Sequence, residues 1–101
     1  MTRRKFTPVG EVLPAVLRSL GLEKKFRELR LLEEWPDVVG PEISARTRPT
    51  RVEHNVLHVH VDHGAWMQEL HFIEKDLIGK LRERVPGVDL KKIRFSAKQE
   101  A

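Results

Sequence analysis

Apolar residues recur at helical spacing in the first fifth of the chain. The pair Thr7-Pro8 is typical of a helix start, because Thr caps the first turn and Pro fits the first helical position. The apolar positions that follow are Val9, Val12, Leu13, Val16, Leu17 and Leu20. We expect Pro14 to kink this helix or delay its start. Gly21 then stands where a left-handed residue ends a helix.

A second helical pattern follows this glycine and is interrupted by prolines. Its apolar positions are Leu22, Phe26, Leu29, Leu32 and Trp35. Pro36 disfavours helical backbone at Trp35, and Gly40-Pro41 repeats the interruption. The pattern therefore predicts a helix to about Glu34, followed by a bent segment with short helical turns over residues 35–46.

The period changes to two in the middle of the chain, which is typical of a strand with two different faces. The apolar members are Leu57, Val59 and Val61, and they alternate with His58, His60 and Asp62. The pair His54-Asn55 predicts a turn that joins this strand to a first one over residues 50–53. A third strand is predicted over residues 90–96, with Ile93 and Phe95 on one side.

Helical spacing returns between the second and third strands. The apolar positions Trp66, Leu70, Ile73, Leu77 and Leu81 form one continuous stripe over four turns. Asp62 or His63 is expected to cap the start of this long helix, and Pro86-Gly87 ends it. The stripe predicts that Trp66 lies in the core.

These elements predict an α+β fold of two layers, in the order α-α-β-β-α-β. A three-stranded sheet buries one face only if another element packs on it, so the long helix must cover the face made by Leu57, Val59, Val61, Ile93 and Phe95. The other face of the sheet is left open. A chain of 101 residues closes one core, so we expect a single domain over residues 1–101, with ends 1–7 and 97–101 frayed.

Composition and charge narrow the function. Apolar residues make up 40% of the chain and charged ones 34%, and no run is apolar enough for a membrane helix or signal peptide. We therefore expect a cytoplasmic protein without a membrane partner. The net charge of +4 is uneven: residues 1–30 hold eight bases and three acids, residues 31–45 hold four acids and no base, and residues 91–101 hold four bases and one acid. Basic ends favour phosphate-bearing partners or simply aid solubility.

Catalytic chemistry finds little support. With no cysteine, thiolate metal sites and cysteine nucleophiles are excluded. No serine lies in a nucleophile elbow, and no phosphate-binding glycine loop occurs. His58, His60 and His63 invite a metal hypothesis, but we interpret them as solvent-exposed residues of the open sheet face. We therefore expect no enzyme activity, no metal, no cofactor and no small-molecule substrate.

Binding surfaces are the remaining candidates. Arg46, Arg48 and Arg51 lie in and just before the first strand, so at least two of them are expected to project from the open sheet face or its edge as a candidate phosphate-contacting stripe. Trp35, beside the interruption at Pro36, either closes the core or serves as an exposed interface anchor, and we favour burial. The sheet lacks exposed aromatic residues for base stacking, so only a sequence-independent backbone contact is indicated.

The order and spacing of several motifs resemble the DciA family of bacterial replicative-helicase loaders. The motifs are Leu20-Gly21-Leu22, Trp35-Pro36-Asp37-Val38-Val39-Gly40, Thr47-x-Pro49, Leu57-x-Val59-x-Val61, Ala65-Trp66-x-x-Glu69-Leu70 and Ile93-x-Phe95. The resemblance covers nearly the whole chain, from about Val9 to Phe95. The resemblance implies a K-homology-like domain that assists loading of a DnaB-type helicase without ATP and that has affinity for DNA.

Two departures bear on that expectation. The chain has no G-x-x-G pair, the backbone clamp of true K-homology domains. It also ends soon after the last predicted strand, whereas family members often carry a longer basic tail. A helicase-docking adaptor and a stand-alone module that binds DNA or RNA both remain open.

Charge assigns the two partners to different surfaces. Sequence-independent DNA contact is expected at Arg3, Arg4, Lys5, Arg46, Arg48, Arg51, Lys91, Lys92 and Arg94. The helicase is expected at the acidic bend, through Glu33, Glu34, Trp35 and Asp37.

Overall fold

The computed structural model describes residues 15–97, so the predicted helix start at Thr7-Pro8 and the basic residues Arg3, Arg4 and Lys5 lie outside the described residues. Residues 15–20 are helical and form the described part of helix α1. Gly21 adopts φ +71°, and the amides of Gly21 and Leu22 donate to the carbonyls of Arg18 and Leu17 at 3.2 and 2.9 Å. This paired arrangement confirms the predicted glycine stop.

Helix α2 spans Glu23–Ser44, which corrects the predicted bend at Trp35. The helix continues through Pro36 and bends only at Gly40, whose φ of 88° and ψ of 165° are not helical. Pro41 then opens a short final segment, where its missing N–H costs nothing. Trp35 is fully buried, so packing of its ring overrides the local preference of a residue before proline.

The predicted hairpin is confirmed. Strand β1 (Thr47–Glu53) pairs antiparallel with β2 (Val56–Val61), and His54 and Asn55 both have positive φ, 53° and 66°. Two left-handed residues in a two-residue loop match the twist of the flanking strands. Strand β1 begins three residues earlier than predicted and shows a register irregularity between Pro49 and Arg51, where a proline cannot donate to the ladder.

The connection from β2 to β3 contains two helices, which corrects the single long helix predicted. A 3-10 turn (Gly64–Trp66) leads into α3 (Met67–Phe72), and α4 (Glu74–Arg84) follows after a break at Ile73. The break puts Glu74 in the first turn of α4, and its carboxylate accepts the Ile93 amide at 3.1 Å. Strand β3 (Lys92–Ser96) pairs parallel with β2, so the sheet order is β1-β2-β3.

The buried side chains of the described residues form one cluster, and they confirm the α+β fold class with two layers. Sheet residues Leu57, Val59, Val61, Ile93 and Phe95 meet side chains from α2, α3 and α4. The helical contribution comes from Leu31, Trp35, Leu70, Leu77 and Leu81. The predicted two-layer arrangement did not include this contribution of α2 to the core, because α2 was expected to bend at Trp35.

The two tryptophans differ in how deeply they are buried. Trp35 is 0% exposed and its ring lies 6.4 Å from that of Phe95, measured between centroids, which confirms its burial. Trp66 is only partly buried, at the edge of the core. It belongs to the 3-10 turn and not to the long stripe, so Trp66 packs against the core as expected but only from its edge.

An ion-pair network joins α2 to α4. The Glu34 carboxylate accepts from Arg84 at 2.8 Å and from Arg30 at 3.2 Å, and Arg84 also lies 3.7 Å from Asp37.

Within residues 15–97, no helix is long and apolar enough to cross a membrane.

Candidate nucleic-acid interface

The sheet face opposite the core carries most of the predicted phosphate contacts. We call it the outer sheet face and define it by eight residues: Arg48, Thr50, Arg51, His58, His60, Lys92, Arg94 and Ser96. Strand alternation places Arg48 and the residues of β2 and β3 there, because their neighbours in sequence lie in or against the core, whereas the register irregularity between Pro49 and Arg51 leaves both Thr50 and Arg51 exposed. All three strands therefore contribute side chains to a single surface.

Strand register arranges these side chains in rows across the sheet. One row is Arg48, His60 and Ser96, and the next is Arg51, His58 and Arg94. Directly opposed side chains in adjacent strands lie about 5 Å apart at Cβ, and successive rows about 7 Å apart. Each histidine of β2 is thus flanked by an arginine of a neighbouring strand.

The arginines and lysine of this face differ in how they are engaged. Arg48, Lys92 and Arg94 are exposed, and none of the three forms an ion pair with another residue in 15–97. Arg51 donates to the exposed Glu53 at 3.1 Å, and this hydrogen bond and the arginine charge hold the pKa of the Glu53 carboxyl below its ordinary value. Three cations are therefore available for phosphates, with Arg51 partly neutralised.

The two histidines are more covered than expected. The side chains of His58 and His60 are 17% and 15% exposed, which corrects their interpretation as solvent-facing residues. His58 Nε2 lies 4.0 Å from the Glu53 carboxylate, and His60 Nε2 lies 3.9 Å from that of Asp62. In the described part of the chain, no group of three or more histidines and carboxylates is placed to hold a metal ion.

A surface depression lies at the centre of the outer sheet face. Its lining residues are Arg48, Thr50, His58, Val59, His60, Arg94 and Ser96. Thr50 donates its hydroxyl to the His58 carbonyl at 3.1 Å, which fixes the side chain at the rim. Guanidinium and imidazole groups donate hydrogen bonds to oxyanions, so the arginines and histidines give the depression the donor chemistry of a phosphate contact.

Two predicted DNA contacts lie elsewhere. The Arg46 guanidinium carbon is 5.9 Å from the centroid of the Trp66 ring, so this arginine stacks at the edge of the core and does not extend the row of Arg48. Lys91 is exposed in the loop before β3, and its amide donates to the Asn55 carbonyl at 2.9 Å. The structure therefore brings Arg48, Arg51, Lys92 and Arg94 together and separates them from Arg46.

The residues predicted to bind the helicase also do not form one surface, because some are buried and others are exposed. Trp35 is in the core, so it cannot act as a surface anchor, which corrects that assignment. Glu34 is engaged by Arg30 and Arg84, and Asp37, although exposed, lies 3.7 Å from Arg84; Glu33 is exposed. On α2, Glu33 and Asp37 continue a line of exposed apolar residues at helical spacing, Leu22, Phe26 and Leu29, which are 45%, 38% and 54% exposed. We call Leu22, Phe26, Leu29, Glu33 and Asp37 the α2 stripe.

With this geometry described, comparison with known proteins identifies the family. The family model described as "Dna[CI] antecedent, DciA" matches residues 8–95. The chain belongs to the DciA family. That membership confirms the resemblance drawn from the sequence motifs.

Curated relatives agree with DciA membership. The UPF0232 protein of Rhodococcus jostii (strain RHA1) is 27% identical over 89 residues, which cover 88% of this chain and 47% of the relative. The UPF0232 protein of Mycobacterium tuberculosis (strain H37Rv) is 28% identical over 78 residues, or 77% of this chain and 42% of the relative. The matched part of this DciA chain spans less than half the length of each of these relatives.

Sequence reasoning missed the pairing of the β2 histidines with residues of β3 in this DciA chain. Alternation placed His58 and His60 on the non-core face, yet it gave no sign that Arg94 would lie opposite His58. That pairing depends on the register of a parallel strand, which the two crossover helices set. The exposed apolar part of the α2 stripe was missed because its residues were assigned to the buried side of the second helix.

Proposed function

We propose that this protein is an accessory factor of bacterial DNA replication, one that binds a DnaB-type replicative helicase and assists its loading onto DNA without hydrolysing ATP. The observation that carries the proposal is the DciA family match over residues 8–95. The chain has no phosphate-binding glycine loop to power such loading by itself. It acts in the cytoplasm and not as an enzyme.

DNA binds the outer sheet face in this proposal. Arg48, Lys92 and Arg94 supply three exposed charges without ion-pair partners among residues 15–97, and phosphates release condensed counterions when such charges neutralise them. The described face presents no Phe, Tyr or Trp ring for base stacking and its two histidines are largely covered, so the contact is directed at the backbone and is indifferent to sequence. The α2 stripe, with its two acids, repels phosphates and lies on a helix that packs on the other side of the sheet.

The helicase binds the α2 stripe. Exposed Leu22, Phe26 and Leu29 form an apolar line of the kind that marks protein interfaces. Glu33 and Asp37 extend the line with negative charge, which favours a basic rim on the partner. This assignment replaces the buried Trp35 with exposed residues of the same helix.

The domain has a K-homology-like arrangement in this proposal, with one unit over residues 1–101. The order of helices and strands and the mixed three-stranded sheet support it. Because the chain contains no G-x-x-G pair, nucleic acid must be held by side chains of the outer sheet face and not by a backbone clamp.

Capture by purified DnaB-type helicase tests the proposal. The wild-type chain is expected to be retained, and the pair Phe26→Asp with Leu29→Asp is expected to abolish retention while leaving DNA binding intact. Both positions are exposed, so the fold is expected to persist, which circular dichroism checks. A matched control is Lys75→Asp with Lys80→Asp on the exposed side of α4, which is expected to leave capture unchanged.

A second function rests on the same outer sheet face. A stand-alone module for DNA or RNA needs the exposed cations but no helicase. Salt-dependent nucleic-acid binding together with no helicase capture by the wild-type chain would favour this alternative and reject the adaptor.

A further inference from the structure

The depression on the outer sheet face concentrates oxyanion donors within one small area. Two rows of the sheet meet there, and each contains an arginine and a histidine on adjacent strands. The hydroxyls of Thr50 and Ser96 lie in the same lining. A solvated charged surface does not require histidines between its arginines, nor does it require them to be largely covered.

We infer that this depression is a built site for a single phosphate group, held by Arg48, His58, His60 and Arg94 with Thr50 and Ser96 in its lining, and that phosphate binding there is coupled to proton uptake by the two imidazoles. The inference deepens the proposed DNA-binding function and rests on it, with a backbone phosphodiester as the ligand. Arg48 and Arg94 approach from opposite sides of β2, so their guanidinium groups can contact one phosphate together.

The charges around the imidazoles explain the coupling. His58 faces Glu53 and Arg51 from the end of β1 and Arg94 from β3, with Lys92 on the next row; His60 faces Arg48 from β1 and Asp62 from the end of β2. Each imidazole thus lies near cations and near one carboxylate. A phosphate bound in the depression adds negative charge beside both rings, and an opposite charge close to an imidazole favours its protonated form.

Affinity for DNA is therefore expected to rise as the pH falls through the range in which histidine titrates. A rise of about half to one pKa unit in one imidazole on binding makes the complex about three- to tenfold tighter at low pH. Backbone phosphodiesters keep their charge throughout this range, as do arginine and lysine, so the histidines are the groups that respond.

The experiment measures binding of a short oligothymidylate by fluorescence anisotropy at about pH 6 and about pH 8, at constant ionic strength. The wild-type chain is expected to bind about three- to tenfold tighter at the lower pH. The pair His58→Gln with His60→Gln keeps polar side chains but cannot gain the protons, so its affinity is expected to be the same at both pH values. The matched control is His63→Gln with His71→Gln, two exposed histidines outside the face, and it is expected to behave like the wild type.

A second measurement needs no variant and uses sulfate, a tetrahedral anion of constant charge. Sulfate added to the wild-type chain is expected to shift the ring proton resonances of His58 and His60 and to leave those of His63 unmoved. DNA binding that is equally strong at both pH values would overturn this inference and leave the proposed function standing. Sulfate shifts at His58 and His60 without oligothymidylate binding would support the phosphate site and overturn the DNA function. Neither response would overturn both.

Discussion

The indole Nε1 of Trp35 donates a hydrogen bond of 2.9 Å to the hydroxyl of Thr47, and that hydroxyl donates in turn to the Ile43 carbonyl at 2.9 Å. These two bonds join the middle of α2 to its last turn and to the first residue of β1. The indole is fully buried, so its N–H depends on Thr47 for a partner. The bend at Gly40 is what returns the chain to place Thr47 there.

The substitution Thr47→Val is expected to destabilise the protein by about 1–3 kcal/mol, because it leaves the buried indole N–H without an acceptor. Thr47→Ser keeps the hydroxyl and is expected to cost less. Urea unfolding of the two variants measures the difference. Combining Thr47→Val with Trp35→Phe should cost less than the sum of the single changes, and full additivity would show that the bond contributes nothing.

Glu34 is expected to make the stability of the fold sensitive to acid. Burial by itself would raise the pKa of the Glu34 carboxyl, but hydrogen bonds from Arg84 and Arg30 and their charges outweigh it and hold the pKa below its ordinary value of 4.5. A carboxyl whose folded pKa is lowered stabilises the fold above its unfolded pKa, and that stabilisation is lost as the pH falls through the folded value.

Glu34→Gln should therefore lose stability at neutral pH and show a shallower decline than the wild type below about pH 4.5. Thermal unfolding over a pH series measures both effects. Glu33→Gln is the matched control, since Glu33 is exposed and forms no ion pair within residues 15–97. Parallel stability curves for Glu34→Gln and the wild type would contradict the network.

The stability of the protein is expected to depend strongly on which residue stands at position 55 in the turn between β1 and β2, because Asn55 has φ of 66°. Asn55→Val should destabilise the fold by roughly 1–2 kcal/mol, because a β-branched residue strains left-handed backbone. Asn55→Gly removes that strain and keeps the carbonyl that accepts the Lys91 amide, so its stability should be close to that of the wild type. Equal melting temperatures for the two variants would contradict this turn geometry.

Local chemistry explains which parts of the fold could be predicted. The stop at Gly21 and the turn at His54-Asn55 depend on backbone preferences of a few adjacent residues, and both predictions are confirmed. The course of α2 through Pro36 depends on the distant contacts of Trp35 with Thr47 and Phe95. Apolar spacing also missed the break at Ile73, because Leu70 and Leu77 are buried on both sides of it.

The candidate site was predictable along each strand but not between strands. Alternation placed His58 and His60 on the non-core face, but Arg51 shares that face with Arg48 only because of the register irregularity between Pro49 and Arg51. Their arrangement in rows with Arg94 and Ser96 follows from the parallel pairing of β2 with β3, which no local pattern specifies. The position of Arg46 was also predicted wrongly, because its guanidinium lies over the ring of Trp66, which belongs to the 3-10 turn after β2.

The salt dependence of DNA binding tests the central claim most directly. Replacing Arg48, Lys92 and Arg94 together by Ala removes the three exposed cations of the outer sheet face, and Lys75→Ala, Lys80→Ala and Arg82→Ala remove the same charge from the exposed side of α4. The first triple variant is expected to weaken binding of all oligonucleotide sequences alike and to flatten the slope of log affinity against log salt by about two to three, while helicase capture is retained. The α4 variant should keep a slope close to that of the wild type. Equal slopes for the two triple variants, or loss of helicase capture together with DNA binding in the first, would contradict the account.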